Sequence, residues 1–245
     1  MSNTMILYDI PTKGRCACFS PNVWKTRLVL NYKGIPYRTE WLSHPEIAPK
    51  LKATGIEPNP AGQGSPYTLP AIQLSDGNTI MESTTIAAKL ESLHPNPPLH
   101  LDNGLVQKVG PIIGKASFPL IPVFMPRIGR DVIVEDSVEY FQTAREKRFG
   151  MTLDELEKTK GGEQAWEASR PGLVELSEFI AAQKQDEGPF ILGSVGCYAD
   201  FMIASMVEAL RRIGGDLYEK FVETAPDDSV QKIHQACQKW MEKDQ

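Results

Sequence analysis

Two hydrophobic periods divide this sequence at a proline-rich break. Before it, short apolar runs alternate with helix starts. After it, strand-like alternation vanishes and apolar residues recur at spacings of three and four. A chain divided in this way predicts an α/β unit over residues 1–94, a linker over 95–104 and an all-helical unit over 105–245. Charge shifts at nearly the same place: residues 1–85 carry net +2 and residues 86–245 net −7.

Punctuation within the first unit predicts the order β-α-β-α-β-β-α around a mixed four-stranded sheet. Met5 to Tyr8 reads as a buried strand. Ser20-Pro21 opens a helix, since Ser is a favoured N-cap and Pro suits the first helical position. Tyr37 to Leu42 reads as a second strand and Pro45 to Thr54 as a second helix closed by Gly55. A Pro/Gly-rich loop, Glu57 to Pro66, comes next. Leu69 to Leu74 and Thr79 to Met81 flank Asp76-Gly77, a dipeptide suited to a tight hairpin. Ser83 is expected to cap a helix carrying Ile86, Leu90 and Leu93.

Helical spacing in the second unit predicts helices at 106–125, 134–148, 152–159, 163–184, 199–212, 216–224 and 228–242. Pro119 and Pro122 are expected to bend or end the first, and Pro171 to interrupt the fourth.

Composition excludes several classes of function. With 41% hydrophobic and 23% charged residues the chain is neither disordered nor a coiled coil. Its net charge of −5 argues against a nucleic-acid partner, because counterion release requires a basic face. No unbroken apolar run reaches the roughly 18 residues of a membrane span. The densest, Phe118 to Met125, is broken by Pro119 and Pro122. The first residues lack the pattern of a signal peptide, so a soluble cytoplasmic protein is expected. Cys16, Cys18, Cys197 and Cys237, with His44, His94, His100 and His234, show no metal-ligand spacing, and no metal is expected.

Three features of the α/β unit carry chemistry. Ser20 lies at a helix N-terminus, where unpaired N–H groups and the dipole favour a nearby anion; a thiolate profits most. Glu82-Ser83 opens another helix, whose free N–H groups suit a carboxylate. Leu69-Pro70 begins a strand, where a cis proline would expose backbone to a peptide-like ligand. For each serine, plain capping is the competing reading.

Together, Phe19-Ser-Pro-Asn-Val-Trp-Lys-Thr-Arg-Leu-Val-Leu30, Asn59-Pro-Ala-Gly-Gln63, Leu69-Pro-Ala-Ile72 and Met81-Glu-Ser83 resemble the N-terminal domain of glutathione transferases, a thioredoxin-like fold. Glu139 to Leu156 and Tyr198-Ala-Asp-Phe201 resemble the C-terminal domain of the etherase-related branch. The whole chain is similar to the fungal-specific class A, serine-type members of that superfamily. The resemblance implies a detoxification enzyme with glutathione as co-substrate, acting on small hydrophobic aryl electrophiles by conjugation or by thiolytic ether cleavage.

It also implies residue roles. Ser20 would hydrogen-bond the glutathione thiolate, and Leu69, beside cis Pro70, would give its backbone to the cysteinyl moiety. Glu82 would meet the γ-glutamyl ammonium and Ser83 its carboxylate. Gln63 falls near the glycyl end, but Gly64 to Thr68 are inserted relative to the family pattern, and Tyr67 or Lys50 are alternatives. The loop from Thr12 to Phe19 is long for the superfamily. Asp200 matches a buried capping aspartate whose usual Ser/Thr partner is Cys197 here, which predicts a weakened cap.

An apolar pocket between the units is expected from Phe118, Leu120, Phe124 and Met125, with Tyr8 and Phe19 opposite. A homodimer is implied by the resemblance. Other readings are a carrier of aromatic ligands, a thiol transferase using Cys16 or Cys18, and a structural interaction module.

Overall fold

The computed structural model describes residues 4–62 and 64–245. Its first half contains β1 (Met5–Asp9), α1 (Pro21–Tyr32), β2 (Tyr37–Trp41), α2 (His44–Ala53), β3 (Ala71–Gln73), β4 (Thr79–Met81) and α3 (Ser83–Leu93). The sheet order is β2-β1-β3-β4, with β1 parallel to β2 and antiparallel to β3, and β3 antiparallel to β4. This is the expected thioredoxin-like arrangement. The hairpin forms at Asp76-Gly77: Gly77 takes φ +90°, a conformation open to glycine, and Asp76 Oδ1 accepts the Asn78 N–H at 2.9 Å.

The second half is helical: α4 (Leu105–Ser117), a 3₁₀ turn (Phe118–Leu120), α5 (Ile121–Arg127), a π turn (Ile128–Val132), α6 (Glu135–Phe149), α7 (Leu153–Lys160), α8 (Glu163–Gln183), α9 (Tyr198–Ile213), α10 (Gly215–Thr224) and α11 (Ser229–Cys237). Pro119 and Pro122 break the first long helix as expected. Pro171 does not break its own, for α8 continues through it. Proline removes one backbone donor, but tertiary packing holds this helix together. Its neighbour Gly172 lies so close to α4 that a Cβ there would sit 2.4 Å from the Ala116 nitrogen. The buried Ser169 hydroxyl donates to the Ala116 carbonyl at the same crossing.

The path from Leu105 to Val132 has a mean hydropathy of 1.3 over its most apolar window, enough to match a membrane span by length and composition. In the sequence, Pro119 and Pro122 interrupt this continuity. Its Leu105, Val109, Ile112, Ala116 and Leu120 are buried in the main core.

That core runs across both units, joining Trp24 and Leu28 of α1 to Phe201 and Ile203 of α9. On the other face of the sheet, Tyr8, Leu42, Leu51, Ala71 and Met81 form a separate cluster. At the head of α9, Asp200 accepts the Cys197 N–H and the Ile191 N–H, each at 2.8 Å. Both arms of the capping box between Cys197 and Asp200 are present although Cys replaces the usual hydroxyl, and the Ile191 bond adds further support to the carboxylate. Burial nevertheless lifts the Asp200 carboxyl to about 6.

Candidate active site

The register of the sheet gathers the three chemical features at one end. Tyr8 pairs with Ala71, and Ala71 with Met81. The loop after β1, the residues before β3 and the residues after β4 therefore leave the sheet side by side. These segments carry Ser20, Leu69-Pro70 and Glu82-Ser83.

Ser20 is the N-cap of α1 and Pro21 its first helical residue, as the sequence predicts. The hydroxyl is not used for capping; only the Ser20 carbonyl joins the helix, accepting the Trp24 N–H at 2.9 Å. The first turn of α1 contains no acidic residue. This differs from α2, where Glu46 accepts the Ser43 N–H at 2.8 Å in a capping box. The positive end of the α1 dipole is thus left available to an external anion.

Leu69-Pro70 is cis. At α3 the expected cap is displaced by one residue. Glu82 is the N-cap, at φ +70°, and Ser83 is the first helical residue. A non-glycine residue in that conformation is uncommon, and such conformations cluster at ligand sites. The α3 cap, like that of α1, makes no side-chain hydrogen bond to its helix, and the first turn carries no acid.

The Glu82 carboxylate accepts the Thr68 hydroxyl at 2.7 Å. Thr68 Oγ1 in turn accepts the Asn59 side-chain amide at 3.3 Å, while the Asn59 N–H donates to the Pro66 carbonyl at 2.7 Å. The inserted loop therefore folds back on the head of α3. Thr68 was not foreseen, because nothing local distinguishes it from other loop threonines. From the helical half, the buried Tyr198 hydroxyl faces Ser83 and Thr84, and burial pushes its pKa up to about 12.

Gln63 lies outside the described residues. Of its alternatives, Lys50 is paired with Glu40 and sits over the Tyr8 ring at 5.6 Å, and Tyr67 packs against the Tyr8 cluster.

The expected apolar pocket is only partly assembled. Phe19, Phe124 and Met125 meet in one cluster with Ile128, Val132, Ile133 and Phe141, so the α/β and helical halves share this wall. Tyr8 is not part of it, being 1% exposed in the cluster across the sheet. Leu120 is sealed in the main core, and Phe118 is 69% exposed. Helical spacing identifies an apolar stripe but not the neighbour each residue meets. The 3₁₀ turn at 118–120 rotates Phe118 and Leu120 away from the face of Phe124. A hollow of about 700 Å³ lies between α4 and α8 beside Phe118, and none of the proposed site residues other than Phe118 lines it.

Among the described residues, no group of three or more His, Cys, Asp or Glu is placed to hold a metal. Cys18 is fully buried, and desolvation together with nearby Asp9 pushes its thiol well above the ordinary range. Cys16 is partly exposed and directs its sulfur to the Thr12 carbonyl at 3.8 Å.

An α/β unit with helices on both faces of its sheet and open helix heads, joined to a helical unit through a shared core, matches family models at both halves. Residues 19–93 match the glutathione S-transferase N-terminal domain and residues 111–240 the glutathione S-transferase C-terminal domain. The chain belongs to the glutathione S-transferase family. It is 30% identical to the glutathione S-transferase-like protein ustS of Aspergillus flavus, over 94% of this chain and 87% of that protein. Among solved structures, it is similar to glutathione transferase GSTFuA3 of Phanerochaete chrysosporium, with 28% identity, TM-score 0.86 and 98% of each chain covered. It is likewise similar to CsGST63524 of Ceriporiopsis subvermispora, solved in complex with glutathione. There the identity is 32% and the TM-score 0.85, over 97% of this chain and 98% of that one.

Proposed function

We propose that this protein activates glutathione as a thiolate through Ser20 and directs it at small aryl electrophiles. The observation that carries this reading is the unused hydroxyl at the head of α1, beside a helix end with no acidic first turn. A hydroxyl donor and a positive dipole stabilise the charged sulfur over the neutral thiol, the differential that lowers a pKa. Leu69 gives its backbone to the cysteinyl unit, Ser83 and the α3 N–H groups take the γ-glutamyl carboxylate, and Glu82 takes the ammonium. The unit over 1–94 is the glutathione-binding domain, and the helical unit over 105–245 completes the electrophile site. Phe19, Phe124 and Met125 supply an apolar surface for a planar substrate, whether the reaction is conjugation or ether cleavage.

The reading places the protein in the cytoplasm as a homodimer. It disfavours thiol transfer through Cys18, whose thiol is buried and held protonated. The test is the thiolate absorbance of bound glutathione against pH, for wild type and Ser20→Ala. The bound thiol should titrate well below free glutathione in wild type and move back toward it in the variant. Tight binding with no such depression would instead indicate a carrier of aromatic ligands.

A further inference from the structure

The segment leading into Ser20 is held by residues far away in the sequence. The Cys18 N–H donates to the Asp244 carbonyl at 3.0 Å, and the Cys18 carbonyl accepts the Trp24 indole N–H at 3.1 Å. Both polar groups of that residue's backbone are thereby committed, two positions before Ser20. The Asp244 side chain, 4% exposed as a residue, pairs with Arg15 of the same loop and with Arg212 of α9, the latter at 2.7 Å. The Arg212 guanidinium lies 5.6 Å from the centre of the Trp24 ring. Asp244, Arg212, Trp24 and Cys18 therefore form a closed circuit of contacts.

This circuit is anchored at both ends. Glu208 holds Arg212 at 2.6 Å and His234 of α11 at 2.9 Å. Asn31 of α1 donates to the carbonyls of Trp240 and Lys243, at 2.6 and 3.0 Å. Across the loop, the Lys13 N–H donates to the Val132 carbonyl at 2.8 Å and its ammonium to the Arg130 carbonyl at 2.7 Å. The loop is thus clasped by the π turn on one side and by residues 240–244 on the other.

We propose that Asp244 is a positioning residue for Ser20. Its carbonyl sets the Cys18 peptide, its carboxylate draws in Arg15, and together they fix where the serine hydroxyl sits relative to the substrate sulfur. The proposal rests on the reading of Ser20 given above. A hydrogen bond to a developing charge depends steeply on placement, so loosening the clasp weakens thiolate stabilisation more than it weakens tripeptide binding.

The experiment follows thiolate absorbance against pH, with kcat and KM for a model aryl electrophile, for wild type, Ser20→Ala, Asp244→Asn, Asp244→Glu and Arg15→Gln. Thermal denaturation of each variant reports folding. Asp244→Asn and Arg15→Gln should shift the bound thiol part of the way toward its Ser20→Ala value. They should lower kcat by about tenfold while KM for glutathione stays within about twofold. Asp244→Glu should recover most of the loss.

If Asp244→Asn keeps the wild-type thiolate titration and kcat, losing only thermal stability, the residue is merely structural and the proposal is overturned. If Ser20→Ala itself leaves the titration unchanged, the reading of Ser20 fails and the positioning role falls with it; the two failures are told apart by that control. The Arg15 side chain is 61% exposed, so Arg15→Gln decides the matter should Asp244→Asn not fold.

Discussion

The Thr68 hydroxyl donates to a Glu82 carboxylate oxygen at 2.7 Å, and this contact joins the inserted loop to the head of α3. It fixes the one side chain proposed to meet the γ-glutamyl ammonium, on a residue whose φ is already +70°. On the proposed reading, the insertion before Pro70 acts at the opposite end of the tripeptide from the glycyl contact.

Replacing Thr68 by Val keeps the shape and removes the donor. Glu82 is then free to rotate, and glutathione should bind about fivefold more weakly, near the 1 kcal/mol of an ordinary hydrogen bond. Turnover at saturating glutathione should change much less. Steady-state kinetics with glutathione varied separates the two; an unchanged KM would detach Thr68 from the binding site.

Asp9 at the end of β1 and Arg27 of α1 form an ion pair at 2.8 Å with both side chains fully buried. Arg27 also donates to the Tyr37 hydroxyl at 3.2 Å. Removing one partner strands a charge, so Arg27→Met should cost about 3–5 kcal/mol in urea unfolding. The double variant Asp9→Leu with Arg27→Met should recover a large part of that cost. Equal losses in the single and double variants would mean that packing, not charge, sets the value.

Burial pushes the Glu208 carboxyl up, but hydrogen bonds from His234, Arg211 and Arg212 outweigh it and hold it at about 2, against an ordinary 4.5. The unfolded chain therefore binds more protons than the folded one between those values. Stability from this group is complete above about pH 4.5 and disappears as pH falls toward 2. Urea midpoints measured across that window should drop steeply in wild type. Glu208→Gln should be less stable at neutral pH and flatter in acid, and a parallel pH profile would count against this assignment.

Short-range signals made most of the architecture legible. Ser20-Pro21, Asp76-Gly77 and the proline pairs act within a few residues, and the structure places a cap, a turn and a break at each. Four kinds of feature were not legible. Pro171 sits inside α8 because α4 packs against it, a constraint from 53 positions away at the Ser169–Ala116 bond. Tyr8, Phe118 and Leu120 share the apolar character of Phe124, but the pleat of β1 sends Tyr8 to the other face of the sheet and the 3₁₀ break turns Phe118 and Leu120 away. Glu82 displaced Ser83 as cap by adopting a conformation that residue type does not announce. Thr68 and Asp244 make their contacts with partners distant in sequence, where no local pattern exists.

Arg15 and Asp244 are 229 positions apart, and that separation has a consequence for synthesis. At about ten residues per second, the ribosome delivers Asp244 on the order of twenty seconds after Arg15. During that interval the sheet and α1 can be complete while the peptide before Ser20 is held from one side only. A nascent chain arrested between residues 94 and 244 would carry every described residue proposed to touch glutathione and still present the serine loosely. On the proposed role of Asp244, thiol activation would reach full strength only when translation has passed that residue, and unfinished chains would activate the thiol less than finished ones.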